Sequence, residues 1–411
     1  MRFLLLSLFC LTLSMASWAE SRLPDSAEYK RIFDLAEQTI RHVIPDKRTA
    51  VFELTRASGA SPLYRVITTE TEAQTYFTRL LAEHHIPHTK VAINLLPDSS
   101  VGGKVTGIVN LSVANLRVSP SNQAELASQV LLGTQLDLLQ YRDGYYRVRT
   151  PEGYIAWVSE SSVSPKSAST LAQWQTGDKI IVTADFGHTY SQPDEQSLRV
   201  SDLVMGNLLN VLDTSGEFVH VLYPDGRDGF IKSQNVQPFT TWLNTRRLTA
   251  ENVLKTAKTM MGLPYLWGGT SVKGVDCSGF TKTAFYMNGL IIPRDASQQV
   301  LAGQPIDILS DDTLNVEKAL RNLIPGDLLF FASGTGRSSD ARVTHVALYL
   351  GNGEFIHAAG MVQINSMVSG SPNYGALDTR TLIAARRYIG QPDSALQPMD
   401  QHPFYTSLGR H

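Results

Sequence analysis

Three residues in the last third of the chain have side chains suited to covalent chemistry: Cys277, His345 and His357. Cys277 stands in Val275-Asp276-Cys277-Ser278-Gly279-Phe280, shortly after Pro264-Tyr265-Leu266-Trp267-Gly268-Gly269. Phe280, Ala284, Phe285 and Met287 approximate an apolar helical face, and Asn288-Gly289 is a stop signal, so the cysteine falls in the first turn of a predicted helix. Unpaired backbone N–H groups and the helix dipole favour an anion there, which lowers a thiol's pKa and supplies thiolate. The alternative for such a residue is a small buried hydrophobe.

The two histidines are tied together by a turn. Val343-Thr344-His345-Val346-Ala347-Leu348-Tyr349-Leu350 and Glu354-Phe355-Ile356-His357-Ala358-Ala359 read as strands joined by Gly351-Asn352-Gly353. A three-residue turn pairs Leu350 with Glu354, and hence Ala347 with His357. His345 lies two residues from Ala347, on the same face of the sheet. The histidines become diagonal neighbours, about 7–8 Å apart at Cα and within side-chain reach. A nucleophilic thiol needs a base, and the base needs a group to orient it. His345 suits the first role and His357 the second. Backbone N–H groups at the helix start and the Tyr265 phenol can stabilise an oxyanion. The bland alternative is a pair of core histidines satisfied by the backbone.

The rest of the chain must position this set. The length of 411 residues suggests about three domains, and 43% hydrophobic with 18% charged residues suits a folded globular protein. A formal charge of -2 gives no sign of a nucleic-acid binder or a polybasic membrane surface. Arg2, the apolar run 3–13 and Ser17-Trp18-Ala19 read as a signal peptide, residues 1–19, cleaved after Ala19. A membrane anchor is the competing reading, but the run is shorter than a typical span. Cleavage removes Cys10 and leaves Cys277 as a single exported thiol, which favours a nucleophile over a structural residue.

Residues 20–103 read as a mixed α/β domain, with helices over 27–43 and 71–82 and strands at 51–54, 63–67 and 91–96, the first two joined by Gly59-Ala60-Ser61-Pro62. His84, His85 and His88 cluster without a carboxylate or cysteine at ligand spacing and read as solvated loop. Residues 104–165 and 174–242 each carry short β runs between turns, as a small barrel requires. Both close on a Gly-aromatic-Ile step, Gly153-Tyr154-Ile155 and Gly229-Phe230-Ile231, and the Ser/Pro-rich stretch 162–169 reads as their linker. Residues 248–390 form the last domain and 391–411 a C-terminal tail. The fold class is α+β.

The combination of Pro-Tyr-Leu-Trp-Gly-Gly, Asp-Cys-Ser-Gly-Phe, Pro325-Gly326-Asp327-Leu328-Leu329-Phe330-Phe331 and Thr-His-Val-Ala-Leu-Tyr-Leu-Gly with a later Phe-Ile-His-Ala resembles the NlpC-type, papain-like cysteine peptidases of bacterial cell-wall peptides. The resemblance covers the last third of the chain and implies nucleophile Cys277, base His345 and orienting residue His357. The two preceding segments resemble bacterial SH3-like barrels. The whole order resembles the γ-D-glutamyl-L-diamino acid endopeptidases, which release L-Ala-γ-D-Glu from wall peptides with a free N-terminal L-Ala. The first barrel would then close one end of the cleft, so that only an unblocked amine fits. The resemblance gives Asp276 and Ser278 as contacts of that amine, and adds Ser297; Asp276 is equally suited to cap the helix. Tyr265 is a further donor, and Glu125 and Tyr154 are candidates from the first barrel. Residues 307–318 depart from the pattern as a charged insertion at the cleft wall.

Three functions follow: an exported endopeptidase of the periplasm, envelope or medium; a wall amidase or acyltransferase with the same site; or a non-catalytic wall-binding protein. A free-amine pocket speaks against the amidase. The expected partner is a peptidoglycan-derived peptide. No cofactor, metal, nucleic acid or stable membrane span is implied, and a monomer is expected.

Overall fold

The computed structural model describes residues 27–56, 62–375 and 377–406. The expected signal peptide at residues 1–19 and Gly59-Ala60-Ser61 of the expected turn lie outside them. The described residues form two compact units, the smaller within Met1–Pro45 and Phe52–Asn94 and the larger within Asp46–Val51 and Leu95–His411. In the smaller, the helix Ala27–Val43 buries Ile32, Leu35 and Ala36, and the helix Thr71–Glu83 buries Ala73, Phe77, Leu80 and Leu81. Both stripes have the 3.6-residue spacing of an amphipathic helix. Strands Phe52–Arg56, Tyr64–Thr68 and Val91–Leu95 form a sheet in that order. This unit ends before residue 103. Residues 95–103 belong to the larger unit, where Asp98 N–H donates to Leu139 O (3.0 Å) and accepts at its carboxylate from Gln140 (3.1 Å).

The larger unit carries two seven-stranded antiparallel sheets, one in each segment expected to form a barrel. In the first, Gln135–Arg142 and Tyr145–Arg149 form a hairpin whose turn residues Asp143 and Gly144 have φ of 52° and 78°. Positive φ at both positions matches the right-handed twist of the strands, which is why Asp-Gly suits this turn. Residues 162–169 are not a linker. Val163–Lys166 is a strand paired with Thr106–Val109, and Ser167 then caps the helix Ala168–Thr176. The strand Leu126–Leu131 escapes the hydrophobic pattern because its Ser128 and Gln129 are buried, facing another domain. Leu132, the next residue, enters the core of the second barrel, and its carbonyl accepts from Leu208 N–H at 3.0 Å.

The last domain is built on a six-stranded antiparallel sheet in the order Gln304–Ile306, Arg380–Arg387, Leu328–Ser333, Val343–Gly351, Glu354–Ala359, Met361–Ser366. The helices Ala250–Thr259 and Cys277–Tyr286 cover one face, with Val253, Phe280, Ala284, Phe330, Val346 and Ile356 in the shared core. The hairpin turn is tighter than three residues. Gly351 pairs with Glu354 across Asn352-Gly353, and Leu350 is bulged. The bulge restores the expected register beyond it, Tyr349 with Phe355 and Leu348 with Ile356. Residues 307–318 form a small hairpin and the start of the helix Val316–Asn322, and none of them lines the cleft described below. The C-terminal segment is docked rather than trailing. Gln397–Pro398 pairs with Leu290–Ile291, and Met399 and Tyr405 are buried with Phe239, Trp242 and Met287. Among the described residues no helix is long and apolar enough to cross a membrane.

Candidate active site

Cys277 is the first residue of the helix Cys277–Tyr286, a free thiol 6% exposed at the floor of a cleft of about 660 Å³. The helix starts here because Asp276 caps it, accepting from Gly279 N–H at 2.6 Å. Two close approaches fix the start against the preceding loop. A Cβ on Gly279 would lie 1.9 Å from Gly269 O, and one on Gly269 would lie 2.3 Å from Gly274 O. Tyr265 N–H donates to Gly360 O (2.9 Å), which sets the Tyr265 ring along the cleft.

The histidine pair forms with the predicted proximity: His345 Nε2 lies 2.7 Å from His357 Nδ1. The chain continues beyond it. His357 Nε2 is 2.8 Å from Asn365 Oδ1, and Asn365 Nδ2 donates to Asn373 O at 3.0 Å. That last bond assigns the Asn365 amide, so its oxygen faces His357 and accepts. His357 then carries its proton on Nε2 and accepts at Nδ1 from His345 Nε2–H. The remaining nitrogen of His345, Nδ1, is left with a lone pair able to take a proton. His345 lines the cleft with Cys277, whereas His357 is buried behind it at 1% exposure.

The electrostatics run against the thiolate expected from the helix terminus. Burial and the adjacent Asp276 carboxylate push the Cys277 thiol up to about 12, opposed by the backbone N–H groups of Val346 and Ser278 and by Arg294. Burial, with His357 and Arg380, holds His345 well below the usual histidine range, and burial brings His357 down to about 4. Both shifts favour the neutral thiol and the neutral imidazole. A proton passed from a neutral thiol to a neutral imidazole leaves a pair of opposite charges, so the net charge of a buried site holding both does not change. Burial and the neighbouring Cys277 and Asp276 push the Tyr265 phenol up, which keeps it an O–H donor.

All the sequence-predicted contacts other than His357 line this one cleft: Tyr265, Asp276, Ser278, Ser297, and from the first barrel Glu125 and Tyr154. Their states differ. Asp276 is saturated: besides Gly279 N–H it accepts from Gly268 N–H (2.9 Å), Ser278 Oγ (3.3 Å) and both terminal nitrogens of Arg294 (3.1 and 2.7 Å). A carboxylate 7% exposed requires such partners, and Arg294 neutralises the charge expected to meet an amine. Ser278 Oγ accepts from Arg294 at 2.9 Å, and Ser297 Oγ from Arg48 at 2.8 Å. Glu125 has one neutral donor, Trp267 Nε1 at 2.7 Å, and no cation within ion-pair distance among the described residues.

Arg294, Arg48 and Asn365 were not foreseen as site residues. Arg294 also donates to Ser128 Oγ of the first barrel at 2.8 Å, and Gln129 of the same strand accepts from Thr270 N–H at 3.0 Å. These bonds seat the barrel on the cysteine helix. Arg48 holds Asp295 (2.7 Å) and Ser297 at the cleft edge. Asn365 could have been found. The next hairpin pairs His357 with Gln363, and Asn365 is two residues on, the same relation that joins His345 to His357. Among the described residues no group of three or more His, Cys, Asp or Glu stands together as a metal site.

Comparison with known proteins agrees with this architecture. The profile of the NlpC/P60 family matches residues 262–380, and that of the bacterial dipeptidyl-peptidase Sh3 domain matches residues 116–163. The chain is 30% identical over 248 residues to a gamma-D-glutamyl-L-lysine dipeptidyl-peptidase of Bacillus cereus, spanning 58% of this chain and 68% of that protein. It is 30% identical over 290 residues to dipeptidyl-peptidase 6 of Lysinibacillus sphaericus, spanning 68% and 98%. The crystal structure of an NlpC/P60 family protein from Bacillus cereus shares the fold, with a TM-score of 0.56 and 23% identity over 69% of this chain and 99% of that one. With sequence likeness along nearly the whole of one relative, and with the catalytic-domain and barrel profiles in the same order as the α+β fold, the chain belongs to the NlpC/P60 family of cysteine peptidases.

Proposed function

We propose that this chain is an exported endopeptidase that cuts the γ-D-glutamyl–L-diamino acid bond of peptidoglycan peptides with a free N-terminal L-Ala, releasing L-Ala-γ-D-Glu. The observation that carries the reading is a cleft holding a thiol and a proton-accepting imidazole, with Glu125 and Tyr154 of the first barrel on its wall. The names of the relatives support the bond, and the apolar leader with a single remaining thiol supports export.

In the reaction, His345 Nδ1 takes the proton of Cys277 as sulfur attacks the γ-carbonyl carbon of D-Glu. The oxyanion meets backbone N–H at the start of the cysteine helix and the Tyr265 hydroxyl. Collapse breaks the C–N bond, His345 returns the proton to the departing amine, and a thioester remains on Cys277. Water, deprotonated by His345, then releases the dipeptide. His357 and Asn365 hold His345 in the tautomer this requires. The N-terminal ammonium is met by Glu125, the acidic side chain of the cleft without a cation, while Asp276 serves the helix and Arg294.

The test is mass spectrometry of L-Ala-γ-D-Glu-diaminopimelate after incubation with the chain and with Cys277→Ala. The expected product is L-Ala-γ-D-Glu, lost at least about a thousandfold in the variant. Cleavage of a sugar–L-Ala amide in its place would move the chain to the amidases.

A further inference from the structure

The cleft carries two cations that the reaction above does not use. Arg342 and Arg380 both line it, together with Ser333, Val343 and Thr344. Three adjacent strands bring them together. Arg380 pairs with Ser333, and Ala332 pairs with Val343, the neighbour of Arg342. Strands about 4.8 Å apart place the two backbones about 10 Å from each other, flanking Ser333. The segment between is tied down. Gly334 N–H donates to Thr379 O (3.0 Å), Arg337 N–H to Thr381 Oγ1 (3.1 Å), and Ser339 N–H to Asp312 (3.1 Å).

Neither guanidinium has a carboxylate or hydrogen-bond acceptor among the described residues. The other two arginines at this site differ: Arg48 is paired with Asp46 and Asp295, and Arg294 with Asp276. The cleft is thus polarised, with the uncompensated Glu125 on its barrel side and two uncompensated guanidinium groups on its sheet side. Arg380 lines the same cleft as Tyr265, Cys277 and His345, and its charge acts on Tyr265, His345 and His357.

A substrate whose ammonium faces Glu125 and whose scissile carbonyl faces Cys277 sends its leaving half to the sheet side. We infer that Arg342 and Arg380 bind a carboxylate at the end of the leaving residue's side chain, and so select meso-diaminopimelate over L-lysine. Guanidinium forks hold carboxylates through paired charge-assisted bonds, whereas a lysine side chain ending in ammonium alone is repelled. This rests on the function proposed above and goes beyond it in naming the leaving residue.

The experiment compares kcat/KM for three peptides, L-Ala-γ-D-Glu joined to meso-diaminopimelate, to L-lysine, and to meso-diaminopimelate amidated on its side-chain carboxyl. The α-carboxylates are common to all three, so ratios isolate the side-chain group. The expected preference for the free acid over either competitor is about tenfold or more. In the double variant Arg342→Gln with Arg380→Gln, the ratio of free to amidated peptide falls towards one, and Arg342→Lys with Arg380→Lys keeps part of it. A general structural defect would slow all three peptides and leave the ratios in place. Equal rates for free and amidated peptide in the unsubstituted chain, or an unchanged ratio in the Gln variant, would overturn the selection and leave the cleaved bond as proposed. Failure to cut any of the three would overturn both.

Discussion

His345, the proposed base, owes its tautomer to a residue two hydrogen bonds away from the nitrogen it frees. Asn365 accepts from His357, His357 accepts from His345, and the lone pair at His345 Nδ1 is the result. Because burial brings His357 to about 4 and His345 below its ordinary range, kcat/KM should hold through pH 6 and fall only towards about pH 4, as the pair protonates. Asn365→Asp places a carboxylate on His357, favours the imidazolium, and moves that acid limb upwards by about one unit or more. A limb near 6.5 in the unsubstituted chain, unmoved by the substitution, would contradict the neutral chain of bonds. Arg294→Ala leaves Asp276 buried without its cation and should cost about 3–5 kcal/mol in denaturant unfolding. The place of Cys277 at a helix start and the proximity of the two histidines were legible from motif and turn. The pairing of Arg294 with Asp276 was not, since no local pattern reveals which buried carboxylate an arginine will meet. The thiol's direction was misread for the same reason: the helix terminus is visible in the sequence, but burial and the ionised cap are not.

Among the elements, the start of the cysteine helix is held by backbone contact rather than by side chains. Gly279→Ala would drive a methyl group into Gly269 O, 1.9 Å from the ideal Cβ, and neither backbone can yield without moving Cys277. Activity should drop at least about a hundredfold, with a lowered melting temperature; an unchanged kcat/KM would show that the helix start tolerates displacement. The catalytic strands were legible because alternation and turn residues agree, and the bulge at Leu350 even preserved the register when the turn proved shorter. Leu126–Leu131 was not legible, because a strand that buries Ser128 and Gln129 against Arg294 and Thr270 shows no apolar alternation. The stretch 162–169 misled in the opposite sense, since its Ser and Pro residues serve an edge strand and a helix cap.

At the scale of the whole molecule, the barrels and the catalytic domain share cores. Leu132 crosses from one barrel to the other, and Met399 and Tyr405 return to a cluster with Trp242 and Met287. Ending the chain at residue 390 removes those two buried side chains, and should destabilise the remainder by about 4 kcal/mol in thermal or denaturant unfolding. Composition gave no hint of this docking, because a short segment with Pro and Asp reads as tail. The first barrel's place on the cleft makes the amine gate the feature to test. The most direct measurement is kcat/KM for L-Ala-γ-D-Glu-diaminopimelate beside the same peptide acetylated on its N-terminus. Cleavage of the free peptide with loss of at least about a hundredfold on acetylation is the expected result. Equal cleavage of both would leave a cysteine endopeptidase with no amine gate, and would remove the role given to Glu125 and the barrel.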